Sequence, residues 1–343
     1  MTITISDIAR VAGVSQATIS RVLNDSGYVK TETKEKVLKV IKELNYTPNA
    51  IARSLSRNKT NTIGVIVPDI NNPFFGEVIK GISDVVDEHN MNMILFDTDE
   101  KLNKEIKALK LLKEQRIQGL IIVPTSSEDE INSEYLRIIE NLGTPIVLVD
   151  GHVSYTNFDG VFVDNIKGAF EGTEAFIKAG HKKIAIITGR MNSKPAQDRL
   201  AGYEKALNMY DLPLKSKYIF NGDYLMEKAY EITKEILSMD DPATAIFVSS
   251  NMMTLGCLKA IFEEKLSIPE DVAIVGFDRV DVLNTLGLNI SYINGPTREM
   301  GKIGMEMLID GLENKEKKHL NRITLIPELV LKGSEKYVKK QNK

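Results

Sequence analysis

The chain has 343 residues, 43% of them hydrophobic, which is ample for the cores of two or three domains. Its one cysteine, Cys257, excludes an intramolecular disulfide framework. No apolar run approaches the roughly 18 residues of a membrane span, and the N-terminus lacks a signal-peptide pattern, so a soluble cytoplasmic protein is expected. Charge is divided along the chain. Residues 1–60 carry ten Lys/Arg against five Asp/Glu, net +5, and the remainder carry 34 against 42, net −8. A basic head suits a polyanion, and an acidic body discourages nonspecific wrapping around one.

Ile5, Ile8, Ala9 and Ala12 recur at helical spacing, with Thr4 and Asp7 placed for a capping box and Gly13 for the turn that follows. Ser15 is placed to cap a second helix, whose buried face is Ile19, Val22 and Leu23. Two short helices joined by such a turn form a helix-turn-helix, whose second helix enters the major groove by its N-terminal end. That reading points Gln16, Ala17 and Arg21 at base edges: Gln to adenine, Ala to a thymine methyl, Arg to guanine. The hydroxyls of Thr4, Ser15, Thr18 and Ser20 suit phosphates, which position the module without reading sequence. An ordinary helical hairpin with solvated polar groups is the alternative at this stage. A third helix is expected over Thr31–Leu44, and Pro48 starts a short helix too brief to be stable alone.

After a polar linker, Ser56–Asn61, short apolar runs alternate with amphipathic stretches. Strands are expected at Ile63–Val67, Met93–Phe96, Leu120–Val123 and Ile146–Val149, then at Ile184–Ile187, Tyr218–Phe220, Ala245–Val248 and Val272–Val275. Helices are expected near Phe74–Glu88, Leu102–Gln115, Ile131–Asn141, Ile166–Ala179, Ala196–Met209, Met226–Leu237 and Thr254–Glu264. Such βαβ alternation predicts two doubly wound parallel-sheet lobes. Ligands of such folds collect on the loops at strand C-termini. Those loops carry Asp69, Asn71, Phe74, Phe75, Asp97, Asp150, Ser193, Arg199, Tyr224, Ser250, Asn251, Phe277 and Asp278. Carboxylates, an arginine and aromatic faces are equipment for a polyhydroxylated ligand. Loop capping is the competing role for the aspartates, above all Asp69 and Asp97.

The segments Val-Ser-x-x-Thr-Ile-Ser-Arg-Val-Leu-Asn (14–24), Gly27-Tyr28-Val29, Leu-Asn-Tyr-x-Pro-Asn-Ala-Ile-Ala-Arg-Ser-Leu (44–55), Gly64–Asp69 and Asn72–Phe75 closely resemble the LacI/GalR family of bacterial transcription regulators. The resemblance covers roughly residues 2–333. It implies a small all-α helix-turn-helix head (1–46), a hinge helix and linker (47–61) and an effector-binding and dimerisation body (62–333) like a periplasmic sugar-binding protein, with a tail (334–343). The lobes would interleave: about 62–161 and 293–322 in the first, about 162–292 and 323–333 in the second. Asn24 and Tyr28 fall within the matched head segments and join the DNA-binding positions. Leu55 takes the place of the family's minor-groove wedge, with Asn49 and Ala52 lining the groove; such a wedge unstacks a base step to bend the duplex. Asp150, Arg199 and Asp278 match positions that bond effectors in the family, and Tyr224 matches an aromatic wall.

The resemblance further implies a repressor that binds a palindromic double-stranded operator as a homodimer and takes a small effector. The expected effector is a sugar or sugar phosphate, with a purine or nucleoside as the alternative. Some relatives use a phosphorylated partner protein as corepressor, and that partner stays open here, as does a global regulon. No cofactor is implied. Ser250-Asn251, residues 288–293 and His152 depart from the family's frequent patterns near the cleft, so a known effector does not transfer. An enzyme is not expected: the nucleotide-binding glycine fingerprints are absent, the four histidines lack metal-ligand spacing, and no Gly-x-Ser-x-Gly occurs. A sugar-binding transport protein is the remaining rival, and the head speaks against it. The C-terminal stretch has no heptad leucines, which favours a dimer over a tetramer.

Overall fold

The computed structural model describes residues 3–24, 26–46, 60–314 and 319–337. The chain divides into two compact units, Met1–Thr60 and Asn61–Lys343.

In the head, α1 (Ile5–Ala12), α2 (Gln16–Asn24) and α3 (Thr31–Glu43) pack around Ile8, Ala12, Ile19, Val22, Val37 and Val40. The capping box forms, with Asp7 N donating to Thr4 Oγ1 and Thr4 N to Asp7 Oδ2, which satisfies two otherwise orphaned helix-end donors. Gly13 ends α1 at φ 63°, a left-handed conformation that costs glycine little. Ser15 Oγ accepts from Thr18 N at 3.2 Å and so caps α2.

The body holds two six-stranded sheets among the described residues. The first comprises β1 (Thr62–Val67), β2 (Asn92–Asp97), β3 (Gly119–Ile122), β4 (Ile146–Val149), β5 (Asp159–Val163) and β11 (Arg322–Leu325), in the order β11-β5-β4-β3-β1-β2. The second comprises β6 (Ile184–Thr188), β7 (Ile219–Asn221), β8 (Ala245–Val248), β9 (Ala273–Phe277), β10 (Ser291–Asn294) and β12 (Glu328–Val330), in the order β12-β10-β9-β8-β6-β7. All neighbours are parallel except β10 and β12. The two lobes thus repeat one doubly wound order, with a switch point at β1/β3 in the first and β6/β8 in the second, where ligand crevices form. The central strands β1, β3, β4, β6, β8 and β9 are buried on both faces, as helices on both sides require.

Helices α4 (Pro73–Glu88), α5 (Leu102–Glu114), α6 (Glu130–Asn141) and α12 (Thr297–Glu313) belong to the first lobe. The second holds α7 (Asn165–Ala179), α8 (Lys194–Met209), α9 (Met226–Ser238), α10 (Asn251–Glu263) and the short α11 (Asp281–Thr285). Backbones approach so closely that a Cβ on Gly81 would overlap the Arg298 carbonyl oxygen, and one on Gly301 the Val78 carbonyl oxygen. Gly256 meets Met226 O in the same way in the second lobe.

The chain crosses between lobes three times, near the approximate bounds expected at 161/162, 292/293 and 322/323. β5 runs to Val163, β10 to Asn294 and β11 to Leu325, and each crossing follows the end of its strand. At the linker's end, Asn92 N already donates to Asn61 O at 2.8 Å, so Asn61 belongs to the body. The tail expected from residue 334 is partly built in. Ser334 Oγ accepts from Ser291 N at 2.7 Å and donates to Ile274 O at 2.6 Å, and Glu335 Oε2 accepts from Gly333 N, which ties the segment to β9 and β10.

Candidate functional site

In the head, Ser15, Gln16, Ala17 and Arg21 are exposed on the N-terminal part and outer face of α2, and Tyr28 is 86% exposed beyond it. Thr18 and Ser20 are half-buried. The Thr4 hydroxyl donates to Asp7 Oδ2 at 2.7 Å, and the Ser15 and Thr18 hydroxyls pair at 2.9 Å. These hydroxyls therefore serve the helix starts. The Asn24 side chain, Asn49, Ala52 and Leu55 lie outside the described residues.

In the body, the loops after β1, β3 and β4 face those after β6, β8 and β9 around a cavity of about 70 Å³. Phe74, Asp150, Ser193, Arg199, Tyr224, Ser250 and Asp278 line it together, and Asp69 does not. Asp69 Oδ1 accepts from Asn71 N at 2.8 Å and Nδ2 at 3.2 Å, closing its own turn. Asn72 lines the cavity instead and caps α4 through Phe74 N at 3.0 Å.

Arg199 is 4% exposed in the floor. Its Nε donates to Asn165 Oδ1 at 2.8 Å and its Nη1 to Ser249 O at 2.7 Å, with the guanidinium carbon 3.7 Å from the Phe277 ring centroid. Asp278 Oδ2 stands 3.9 Å from Nη1. Asp150 Oδ1 and Asp278 Oδ1 are buried without a hydrogen-bond partner. Burial pushes the Asp278 carboxyl up to about 6 against the pull of Arg199, with Asp150 adding to the rise. Burial raises Asp150 as well, again opposed by Arg199.

Asp150, Tyr224 and Asp278 all adopt left-handed backbone, at φ 60°, 64° and 68°. Non-glycine residues held there concentrate at functional sites. The Tyr224 ring sits where a Cβ on Gly189 would be, so this close approach requires the glycine. Its hydroxyl bonds Ser193 Oγ at 3.2 Å, and burial raises the phenol. Ser193 and Ser250 also cap α8 and α10, each accepting from the backbone N–H three residues on.

Among the described residues, four residue pairs bridge the lobes across the cleft. Asn251 Nδ2 donates to Asn72 Oδ1 at 2.8 Å, Ser127 N and Oγ to Asn192 O at 3.0 and 2.7 Å, Gln197 Nε2 to Glu128 Oε1 at 3.3 Å, and Arg190 forms an ion pair with Glu100. Glu100, Arg190 and Asn165 were not among the expected site residues. Asn165 had a signal: the apolar run Val161–Val163 followed by a polar pair repeats the strand-end pattern seen at Asp150. Among the described residues, no group of three or more His, Cys, Asp or Glu is placed to hold a metal ion, and no helix is long and apolar enough to cross a membrane.

Residues 4–49 match the bacterial regulatory proteins of the lacI family, and residues 60–339 match the periplasmic binding proteins and sugar binding domain of the LacI family. The chain is 37% identical over 317 residues to the HTH-type transcriptional regulator RegA of Clostridium saccharobutylicum, covering 92% of this chain and 94% of that one. The solved lac repressor dimer, bound to operator and an anti-inducer, is 25% identical with a TM-score of 0.86, covering 98% of this chain and all of that one. A LacI family transcriptional regulator from Enterococcus faecium with bound ribose is 27% identical with a TM-score of 0.73, over 81% of this chain and all of that one. With both modules matched along nearly its whole length, this chain belongs to the LacI family of bacterial transcription regulators and is a DNA-binding regulator, not an enzyme.

Proposed function

We propose that the chain is a repressor that binds a palindromic operator as a homodimer and is released when a small carbohydrate enters the cleft between its lobes. The observation that carries the effector half is the pair of buried carboxylate oxygens, Asp150 Oδ1 and Asp278 Oδ1, left without donors beside the fixed guanidinium of Arg199. An unsatisfied buried acceptor is costly, and ligand hydroxyls supply the missing donors. Tyr224 and Phe74 offer faces for the apolar side of a sugar ring. The operator half rests on the exposed Gln16, Ala17 and Arg21 at the outer face of α2, where side chains reach base edges. Asn24, Tyr28, Thr4, Ser15, Thr18 and Ser20 join them on the DNA side. Asn49, Ala52 and Leu55 act in the minor groove by family likeness.

The relative bound to ribose and the relative bound to operator support each half separately. Recovering genomic fragments bound by the purified chain tests the reading. A palindrome beside carbohydrate-uptake genes, released by the corresponding sugar, is expected. Enriched fragments with no two-fold symmetry, or a palindrome that no carbohydrate releases, would contradict it.

A further inference from the structure

Strand order sets two ends of the cavity apart. Asp150 follows β4 and Asp278 follows β9, whereas Glu100 follows β2 and Arg190 follows β6, on the far side of β3/β1 and of β8. At the Glu100 end, Arg190 reaches across the cleft: Nη1 donates to Glu100 O at 3.1 Å and Nη2 pairs with the Glu100 carboxylate. Its Nε is buried and without a partner.

The charges facing the cavity are mostly committed. Lys194 pairs with Asp198, and Arg190 with Glu100. His152 is held towards its neutral form by burial and by Arg322, whose Nη1 lies 3.0 Å from His152 Nε2. What remains is Arg199, already spent on Asn165 and Ser249, facing two carboxylates. An anionic ligand finds no uncommitted cation there.

Resting on the carbohydrate reading above, we infer that the Glu100–Arg190 pair determines specificity by selecting uncharged carbohydrates over their phosphorylated or carboxylated counterparts. Glu100 cancels the arginine's charge while leaving Nε–H to donate to a neutral acceptor oxygen of the ligand. At the other end, Asp150 and Asp278 accept from ligand hydroxyls. The site thereby fixes the direction of the ligand as well as its charge.

The test is calorimetry on the full-length protein with the common aldopentoses, aldohexoses and their disaccharides beside matching sugar phosphates and uronates. The wild type is expected to bind one neutral sugar at least about tenfold more tightly than its anionic counterpart. Glu100→Gln keeps an amide to bond the guanidinium but uncovers its charge, and is expected to narrow that ratio about tenfold or more. Arg190→Gln is expected to weaken the neutral sugar without admitting the anion. An unchanged ratio in Glu100→Gln, or a wild type that prefers the anion, overturns the inference while leaving the carbohydrate reading standing. A folded wild type that binds no member of the panel overturns both.

Discussion

Arg199 stands nearer a backbone carbonyl than the carboxylate it faces: Nη1 lies 2.7 Å from Ser249 O and 3.9 Å from Asp278 Oδ2. The guanidinium is thus a fixed part of the cavity floor, joining the ends of β8 and α7 through Ser249 and Asn165. Asp278 receives field but no direct bond from it. That division holds the cation in place without a ligand and leaves a carboxylate free to meet one.

Removing this cation leaves two buried carboxylates uncompensated. Arg199→Met is expected to lower stability at pH 7.5 by about 3–5 kcal/mol in urea unfolding, with a smaller loss near pH 5, where the Asp278 carboxyl is protonated. An equal loss at both pH values would mean that lost packing on Phe277, and not charge, accounts for the effect.

Asp278 makes ligand affinity depend on pH. Its carboxyl titrates at about 6, and ligand hydroxyls donate best to the ionised form. Affinity is therefore expected to hold above pH 7 and fall as pH drops through 6, by up to about tenfold per unit. Asp278→Asn is expected to bind more weakly at pH 7.5 and to lose this dependence. Calorimetry between pH 5 and 8 checks both.

Glu105 of α5 is fully buried, accepts from Thr125 N at 2.7 Å and from Asn132 Nδ2, and so supports the loop that carries Thr125 and Ser127 to the cleft. Burial pushes it up to about 7 from an ordinary 4.5. Between those values the folded chain holds a proton that the unfolded chain has lost, so stability falls as pH rises from 4.5 to 7. The span corresponds to on the order of 3 kcal/mol. Glu105→Gln is expected to be more stable than wild type at pH 8, on the order of 1–3 kcal/mol, with a flatter pH profile. A destabilised variant at pH 8 would show that the ionised form is better satisfied than its two donors suggest.

The α4/α12 contact tolerates no Cβ at its centre. Gly81→Ala and Gly301→Ala each force backbone apart and are expected to cost about 1–3 kcal/mol or more in thermal or urea unfolding. Because both act on one helix contact, the double variant is expected to cost less than the sum. Gly76→Ala, with open space around its Cβ, is the control and is expected to be neutral or slightly stabilising.

Eight strands were legible because each is a short apolar run; six of them are buried on both faces, while β2 and β7 at the sheet edges are only partly buried. β5, β10, β11 and β12 were not: each opens on a polar residue, Asp159, Ser291, Arg322 or Glu328, which leaves only a short apolar run, and β10 and β11 alternate in burial. α12 escaped notice because two of its six buried positions, Gly301 and Gly304 among Met300, Met305, Met307 and Leu308, are glycines that blur the apolar period. Within the site, Asp150 and Asp278 could be read as strand-end carboxylates. Asp69 shares that pattern but closes its own turn, a difference decided by Asn71 two residues on. The pairs Glu100–Arg190 and Asn72–Asn251 had no signal at all, since only the crossing of the chain between lobes brings them together.

The central claim is that head and cleft are coupled, and coupling of binding sites must be reciprocal. The most direct measurement is the operator affinity of the full-length chain with and without saturating sugar, paired with sugar affinity with and without operator. The account predicts that sugar weakens operator binding by about 5–150-fold and that operator weakens sugar binding by the same factor. Sugar that fills the cleft while leaving operator affinity unchanged would contradict it.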